Sequence, residues 1–254
     1  MHWLYILISK FLCIGILVSG ICLARFANAA DVIVGFEITS PPYVVSIGDK
    51  SSSYTGIEIE IVRLALQASG HDLVAKLAPL KRRIRQLSQG KIDGISTVQL
   101  DQVPGLHYSE NYVGYHNFAI SHHRDNIILE SISDLSGYSI STWHSARSHL
   151  GQEFMDAIQK SPGYFELVKQ KSQVAMFLKG RVKVTVIDKI IFQYLAKRAG
   201  ADLSVFRYSP IFGGGTKFRL GFASAQIRDG FNRGLATIKA NGTLRGIYSR
   251  FGIE

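Results

Sequence analysis

Two acidic residues directly follow apolar segments, at positions where a strand would end. Asp188 comes after the β-branched segment Val182–Ile187, and Glu37 comes after the apolar segment Asp31–Phe36. In an open α/β sheet, ligands bind just beyond the carboxyl ends of the strands. A carboxylate at such a position can pair with a cationic group of a ligand, and it can equally cap the helix that follows. The residues around Asp188 leave both roles open.

The segment before Asp188 has one counterpart earlier in the chain. A helical run precedes Gly180-Arg181 and the strand Val182–Ile187, and another precedes Gly90-Lys91 and the strand Ile95–Val98. These two helix–turn–strand units, about 90 residues apart, suggest two α/β lobes of similar build.

The composition is that of a globular chain with a basic balance. The 254 residues are 46% hydrophobic and 19% charged, which excludes a disordered chain and allows one or two domains. The net charge of +10 is spread along the sequence, so we predict no nucleic-acid partner.

Residues 1–29 are typical of a secretory signal peptide. The apolar run Phe11–Leu23 is followed by Ala27-Asn28-Ala29, which matches the small-x-small cleavage rule. A retained N-terminal anchor is the alternative. Both cysteines of the chain, Cys13 and Cys22, lie inside this segment, so cleavage would leave no disulfide, no thiol nucleophile and no cysteine-bound metal. We therefore predict a periplasmic protein.

Several short motifs follow one another along the predicted mature chain. They are Pro41-Pro42-Tyr43, Gly56–Ile61, Gly90–Gly94, Tyr108–Tyr112, Asp134–Gly137, Gly180-Arg181-Val182 before Asp188, and Lys239–Tyr248. Their order and spacing resemble those of the periplasmic solute-binding proteins of the polar amino acid type, family 3. The resemblance covers nearly the whole mature chain.

This resemblance implies an α/β, two-lobed periplasmic binding protein-like fold of type II with two hinge strands. The crossings would lie near Gly114–Asn117 and Thr216–Arg219. Lobe 1 would comprise residues 30–115 and 219–254, and lobe 2 residues 116–218. A ligand would bind between the lobes and be buried when they close.

The resemblance also implies a set of ligand-binding residues. They are Glu37, Tyr43, Thr97, Phe118, Trp143, Ser145, Ala146, Arg147 and Asp188. Asp188 matches the family carboxylate that takes the α-amino group of the ligand. Glu37 has the alternative role of capping the turn that follows it. Trp143 could stack on a planar ligand.

Three positions depart from the family pattern. Gln102 stands where amino acid-binding members usually carry an Arg for the α-carboxylate, and a Gln side chain has no such charge. Leu80 stands where an aromatic ring usually stacks on the ligand. Ser145-Ala146 replaces the usual Gly-Thr helix opening. The N-terminus of this helix is still predicted to offer free backbone N–H groups to an anion. Arg147 would either replace the missing cation or be solvated.

The predicted helix over residues 79–89 carries Lys81, Arg82, Arg83 and Arg85. We expect a solvated basic face, with the alternative that Arg83 or Arg85 reaches the cleft in place of the missing Arg. The ligand is therefore predicted to be a small polar compound with an amine or guanidinium group, either an amino acid or a related molecule.

Other chemistries lack support in the sequence. His116 with His122-His123 has no accompanying Asp, Glu or Cys spacing for a metal site. No Gly-x-Ser-x-Gly elbow is present. The run Gly213–Gly215 indicates a flexible loop rather than a phosphate cradle, because no Lys-Ser/Thr pair follows it. We predict no cofactor and no metal.

Three function classes remain. The first is a monomeric binding module that delivers its ligand to an inner-membrane ABC permease. The second is an enzyme resembling cyclohexadienyl dehydratase, for which Glu37 and His144 are the candidate acid–base residues. The third is a ligand sensor that docks on a membrane receptor. We predict the first.

Overall fold

The computed structural model of the protein describes residues 30–38, 40–47 and 53–253. The predicted signal peptide, with Cys13 and Cys22, lies outside these residues, and so does most of the polar loop before Ser53. The described residues from Asp31 onward form one compact unit. Within the described part of the chain, no helix is long and apolar enough to cross a membrane.

The described residues form strands and helices that alternate along much of the chain. The strands are β1 Ala30–Phe36, β2 Val45–Ser46, β3 Tyr54–Thr55, β4 His71–Leu77, β5 Gly94–Val98, β6 His107–Tyr108, β7 Val113–Tyr115, β8 Asn117–His122, β9 Ile140–Trp143, β10 Tyr164–Leu167, β11 Val184–Asp188, β12 Phe206–Ser209 and β13 Thr216–Phe222. The α-helices are α1 Ile57–Gln67, α2 Leu80–Ser88, α3 Ala146–His149, α4 Gly151–Lys160, α5 Gln170–Leu178, α6 Lys189–Arg198, α7 Ala225–Ala240 and α8 Thr243–Arg250.

The first large sheet has the strand order β4-β1-β5-β13-β6, and β7 also pairs with β13. β1 and β5 are parallel, with Val34 opposite Gly94. β13 runs antiparallel to β5, β6 and β7. Because β1 and β5 are parallel, their carboxyl ends lie at the same edge of the sheet.

The second large sheet has the strand order β10-β9-β11-β8-β12. β9 is parallel to β10 and to β11, whereas β8 runs antiparallel to β11 and β12. In this register Asp188 lies opposite Asn117. The carboxyl ends of β9 and β11 therefore share one edge of the sheet.

Helices α1 and α7 pack against each other at very short range. A Cβ atom added to Gly234 of α7 would lie 1.8 Å from the backbone oxygen of Ala65 in α1. Next to this contact, Ile61, Phe231 and Leu235 are almost completely buried. The absence of a side chain at Gly234 lets the apolar faces of the two helices meet. Burial of each apolar side chain at this contact is worth about 1.5–3 kcal/mol.

The predicted strands Asp31–Phe36, Ile95–Val98 and Val182–Ile187 are confirmed as β1, β5 and β11, and the predicted helix over residues 79–89 as α2, each with slightly shifted bounds. The helix expected to open at Ser145-Ala146 is the short α3, and a second helix, α4, follows it directly. The chain breaks at Gly151, whose φ of 83° lies in the left-handed region.

The strands of the two large sheets come from different parts of the sequence. The first sheet uses strands within residues 30–115 together with β13, and the second uses strands within residues 117–209. The boundaries of the two lobes stay a prediction.

Candidate functional site

A cavity of about 560 Å³ lies between the carboxyl ends of strands from the two large sheets. Glu37 and Thr97 line it at the ends of β1 and β5, and Trp143 and Asp188 line it at the ends of β9 and β11. Further aromatic rings in the wall belong to Tyr115, Phe212 and Phe218. The volume falls in the range of small-molecule sites, about 300–1,000 Å³.

Asp188 caps a helix and also lines this cavity, so its capping role is confirmed and its pairing with a ligand cation stays a prediction. Its Oδ1 accepts hydrogen bonds from the backbone N–H of Ile191 in α6, at 3.0 Å, and from the hydroxyl of Tyr43, at 3.2 Å. Its Oδ2 accepts one from the backbone N–H of His116, at 2.7 Å. Burial raises the pKa of Asp188, although these hydrogen bonds act to lower it. Each carboxylate oxygen can accept two hydrogen bonds, so Oδ2 can still take a ligand donor.

Tyr43 and Phe118 lie outside the wall of the cavity. Tyr43 is fully buried, and its hydroxyl lies 3.2 Å from Asp188 Oδ1 and 3.2 Å from the backbone oxygen of Gly114. Phe118 packs edge-on against Tyr208, with a centroid distance of 6.4 Å. Tyr43 therefore positions the Asp188 carboxylate, and the direct ligand contacts expected of Tyr43 and Phe118 are not supported by this geometry.

Glu37 lines the cavity and pairs with a buried cation. The Arg83 side chain is 1% exposed, and its Nη2 donates to Glu37 Oε2 at 2.7 Å. Its Nη1 donates to the backbone oxygen of Ser96 at 2.8 Å. The other basic residues of α2 are exposed: Lys81, Arg82 and Arg85. The expectation of a solvated basic face is thus wrong for Arg83, which lies behind Glu37 and does not itself line the cavity. The alternative that it replaces the missing Arg toward a ligand stays a prediction.

Thr97 is held in the wall by a buried carboxylate. Its backbone is left-handed, with φ of 55°, a conformation that is rare for a β-branched residue and clusters at functional sites. The Thr97 hydroxyl donates to Glu58 Oε1 at 2.6 Å, and the Tyr112 hydroxyl donates to the same oxygen. Glu58 is fully buried, and burial raises its pKa although these hydrogen bonds lower it.

Gln102, which stands at the position where the family usually has an Arg, makes a hydrogen bond within its own loop. Gln102 Oε1 accepts a hydrogen bond from the backbone N–H of Gln99 at 2.9 Å. Gln99 lines the cavity, whereas Gln102 does not. The loop therefore presents a neutral amide to the cavity.

The backbone N–H groups at the start of α3 are not free, which corrects the sequence-based expectation. The N–H groups of Ser145 and Arg147 donate to the two carboxylate oxygens of Glu166, each at 3.1 Å. Arg147 Nε donates to Glu166 Oε1 at 3.3 Å, and the guanidinium lies 5.4 Å from the ring centroid of Tyr164. Ala146 is buried, and none of residues 145–147 lines the cavity. Glu166 has taken the place predicted for a ligand anion.

A family model described as bacterial extracellular solute-binding proteins, family 3, matches residues 32–254. The chain belongs to this family. The resemblance seen in the motifs is therefore confirmed. A comparison with curated protein sequences found no match.

Solved structures of similar fold agree with this membership of the solute-binding family. A polar amino acid ABC uptake transporter substrate-binding protein from Streptococcus thermophilus is 18% identical, with a TM-score of 0.67 over 87% of this chain and 85% of that one. An ancestral cationic amino acid solute-binding protein is 16% identical, with a TM-score of 0.70 over 87% and 95%. An ancestral amino-acid-binding protein described as a precursor of cyclohexadienyl dehydratase is 16% identical, with a TM-score of 0.63 over 87% and 95%. At these identities they show the fold, which is the predicted type II architecture.

Glu166 of this solute-binding protein is an unusually acidic carboxyl group. Burial acts to raise its pKa, but hydrogen bonds from Tyr164 and from the backbone N–H groups of Arg147 and Ser145 outweigh it and lower the pKa to about 2. The unfolded chain takes up this proton near pH 4.5. Ionised Glu166 therefore stabilises the fold above pH 4.5, and this contribution is lost as the pH falls toward 2.

The substitution Glu166→Gln tests this linkage. We expect the variant to lose about 1–3 kcal/mol of unfolding free energy at pH 7, because hydrogen bonds to a charged group are replaced by weaker ones. The difference from the parent protein should shrink as the pH is lowered from 5 to 3. Urea unfolding at several pH values measures it, with exposed Glu153→Gln as the matched control. A difference independent of pH would contradict the assigned pKa.

Two buried or paired carboxylates of this solute-binding protein escaped prediction, and one of them left a signal in the sequence. Glu58 precedes Ile61, Val62 and Ala65 by three, four and seven residues, so it lies on the buried stripe of α1. A carboxylate on that stripe requires a buried donor. Glu166 gave no such signal, because Ser145 and Arg147 at the start of α3 are about 20 residues away in the chain.

The histidines weighed as a metal cluster have other contacts. The His122 ring packs against Phe177 and Phe206, with centroid distances of 5.0 and 4.8 Å, and burial lowers its pKa. His116 Nε2 lies 2.6 Å from the backbone oxygen of Gly213. Among residues 30–38, 40–47 and 53–253, no group of three or more His, Cys, Asp or Glu residues could hold a metal ion.

Proposed function

We propose that this family-3 solute-binding protein binds a small polar cation in the cavity and delivers it, as a monomer outside the cytoplasm, to an inner-membrane ABC permease. One observation carries the proposal. Asp188 and Glu37 face the same cavity, and no Lys or Arg is among the described residues that line it. Two carboxylates in a partly enclosed space favour a positively charged ligand.

The printed descriptions of similar proteins support this proposal. The Streptococcus thermophilus protein is described as a substrate-binding protein for polar amino acid ABC uptake, and an ancestral protein as binding cationic amino acids. The family is described as extracellular, and residues 1–29 have the pattern of a signal peptide. Together these support export and transport.

The aromatic rings of the wall fit the same class of ligand. Tyr115 and Trp143 line the cavity together with the two carboxylates. A cation over the face of an aromatic ring is attracted by its quadrupole, with about 0.5–2 kcal/mol per contact. The wall therefore offers charge pairing at the carboxylates and a favourable surface for the rest of the ligand.

A dehydratase-like enzyme is the second candidate, because one similar structure is described as a precursor of cyclohexadienyl dehydratase. Such an enzyme needs an acid or base within reach of its substrate. His144, the first candidate, is not among the residues that line the cavity. Glu37, the other candidate, is held by Arg83. These observations favour binding over catalysis.

The proposed function is tested by a thermal-shift screen of the exported protein with amines, amino acids, polyamines and organic acids. A ligand present at 100 times its Kd stabilises the folded state by about 2.7 kcal/mol. For a chain of this size that corresponds to a rise in Tm of about 5–10 °C. We expect this rise with cationic compounds and none with organic acids.

Two outcomes would contradict the proposal. One is the absence of a shift with every cationic compound. The other is product formation from prephenate or arogenate by the same preparation, which would instead support the hypothesis of a dehydratase-like enzyme.

A further inference from the structure

The cavity wall contains carboxyl groups but no Lys or Arg side chain among the described residues. These carboxyl groups belong to Glu37 and Asp188. His149 also lines it, but its Nδ1 lies 2.8 Å from the backbone oxygen of Ser145 and is engaged there. A ligand carboxylate would lose its hydration beside the Asp188 carboxylate and the Glu37–Arg83 ion pair, and it would find no free cation to pair with.

The cation behind this wall is already neutralised. Arg83 is not among the lining residues, and its Nη1 and Nη2 donate to the Ser96 oxygen and to Glu37. Glu37 is itself 47% exposed and presents the pair to the cavity through its carboxylate. A ligand carboxylate could reach Arg83 only by displacing Glu37.

The hydrogen-bond donors at the start of α3 are also bound within the protein. The N–H groups of Ser145 and Arg147, and the Arg147 side chain, are bound by the Glu166 carboxylate. Tyr164 donates its hydroxyl to the same carboxylate at 2.7 Å. The chain thus supplies its own anion at the place where an incoming anion would have found hydrogen-bond donors.

We infer that the ligand is an organic cation without a carboxylate, such as a primary amine, a diamine or a guanidinium compound, rather than an amino acid. This inference rests on the proposed function, because it concerns the same cavity. Asp188 Oδ2 and Glu37 take the cationic end, and the aromatic wall takes the carbon chain or ring. The site discriminates through what a carboxylate would lack there, namely a free Lys or Arg to pair with, because the amides of Gln99, Asn117 and Gln170 in the wall are neutral donors.

The test uses pairs of compounds that differ by one carboxylate. Cadaverine is compared with lysine, agmatine with arginine, and tyramine with tyrosine, by isothermal titration of the exported protein. We expect the carboxylate-free member of at least one pair to bind at least tenfold more tightly than its partner. Equal or tighter binding of the amino acid in each pair that binds would overturn the inference and leave the proposed function intact. Failure of every cation to bind would overturn both.

A pair of variants identifies the source of the discrimination. Glu37→Gln removes one carboxylate and frees the Arg83 guanidinium, so the preference for the amine over its amino acid should fall at least fivefold. Glu153→Gln is the matched control, because Glu153 is exposed on α4 and does not line the cavity. The inference would be overturned if the Glu37→Gln protein kept the Tm of the parent protein and an unchanged ratio of its affinities for the amine and for the amino acid.

Discussion

Replacement of Asp188 by Asn is expected to weaken the binding of a cationic ligand by about 30-fold or more. Truncation of one partner in a buried, hydrogen-bonded charge pair costs about 2–5 kcal/mol, and each 1.4 kcal/mol is a tenfold change in Kd. Asp188 is 3% exposed, so solvent screens this pair little. The substitution removes the charge without changing the size of the side chain.

The folded state should survive this change. Asn is as good a helix N-cap as Asp, and its Oδ1 can still accept from the Ile191 N–H and the Tyr43 hydroxyl. The contact from the His116 N–H is lost, but so is the cost of burying a charged group, which is the leading cause of the raised Asp188 pKa. We therefore expect Tm to change by only a few degrees.

Titration calorimetry with the tightest cation from the screen measures this effect. Asp202→Asn is the matched control, because Asp202 is an exposed residue that caps the 3₁₀ helix Leu203–Val205 and does not line the cavity. Its side chain accepts a hydrogen bond from the Ser204 N–H at 2.9 Å. The control should bind as the parent protein does. If Asp188→Asn retained its affinity within a few-fold, Asp188 would be a helix cap alone.

The substitution Gly234→Ala is expected to cost about 3 kcal/mol of unfolding free energy, at the upper end of the usual overpacking penalty. The new Cβ would meet the Ala65 oxygen at 1.8 Å and its carbonyl carbon at 2.7 Å. Both are backbone atoms, so no side-chain rotation can relieve the overlap and α1 must move away from α7. For a chain of this size, Tm should fall by about 6–12 °C.

Gly246→Ala is the control for this change. It is also a Gly-to-Ala substitution in a helix, α8, and a Cβ there has no atom within 4 Å. Because Ala favours helix over Gly by about 1 kcal/mol, this variant should be as stable as the parent protein or slightly more so. Thermal unfolding of both variants compares them directly. Similar Tm values for the two would show that α1 and α7 are farther apart than described.

The sequence predicted the elements of the fold better than the contacts within the site. Asp188 could be placed at the end of a buried strand because the β-branched run and the helix after it depend on neighbours in the chain. Glu37 and Thr97 followed from the family resemblance, and both line the cavity. Local patterns and motif order were sufficient for these positions.

The electrostatic balance of the site could not be predicted in the same way. Arg83 sits among exposed basic residues on α2, and only the packing of this helix over β5 shows that it is buried against Ser96 and Glu37. Glu166 reaches the start of α3 because β10 pairs with β9 in a register that places residue 166 opposite Thr142. Pairing of this kind links residues about 20 positions apart and leaves no local pattern.

The place of Trp143 in the cavity wall has a practical consequence. The sequence contains two tryptophans, and the other, Trp3, lies in the segment expected to be removed on export. The intrinsic indole fluorescence of the exported chain then arises from one ring that lines the cavity. The emission maximum and its quenching by iodide therefore sense the solvent at that wall, and the molecule carries its own optical reporter without a label.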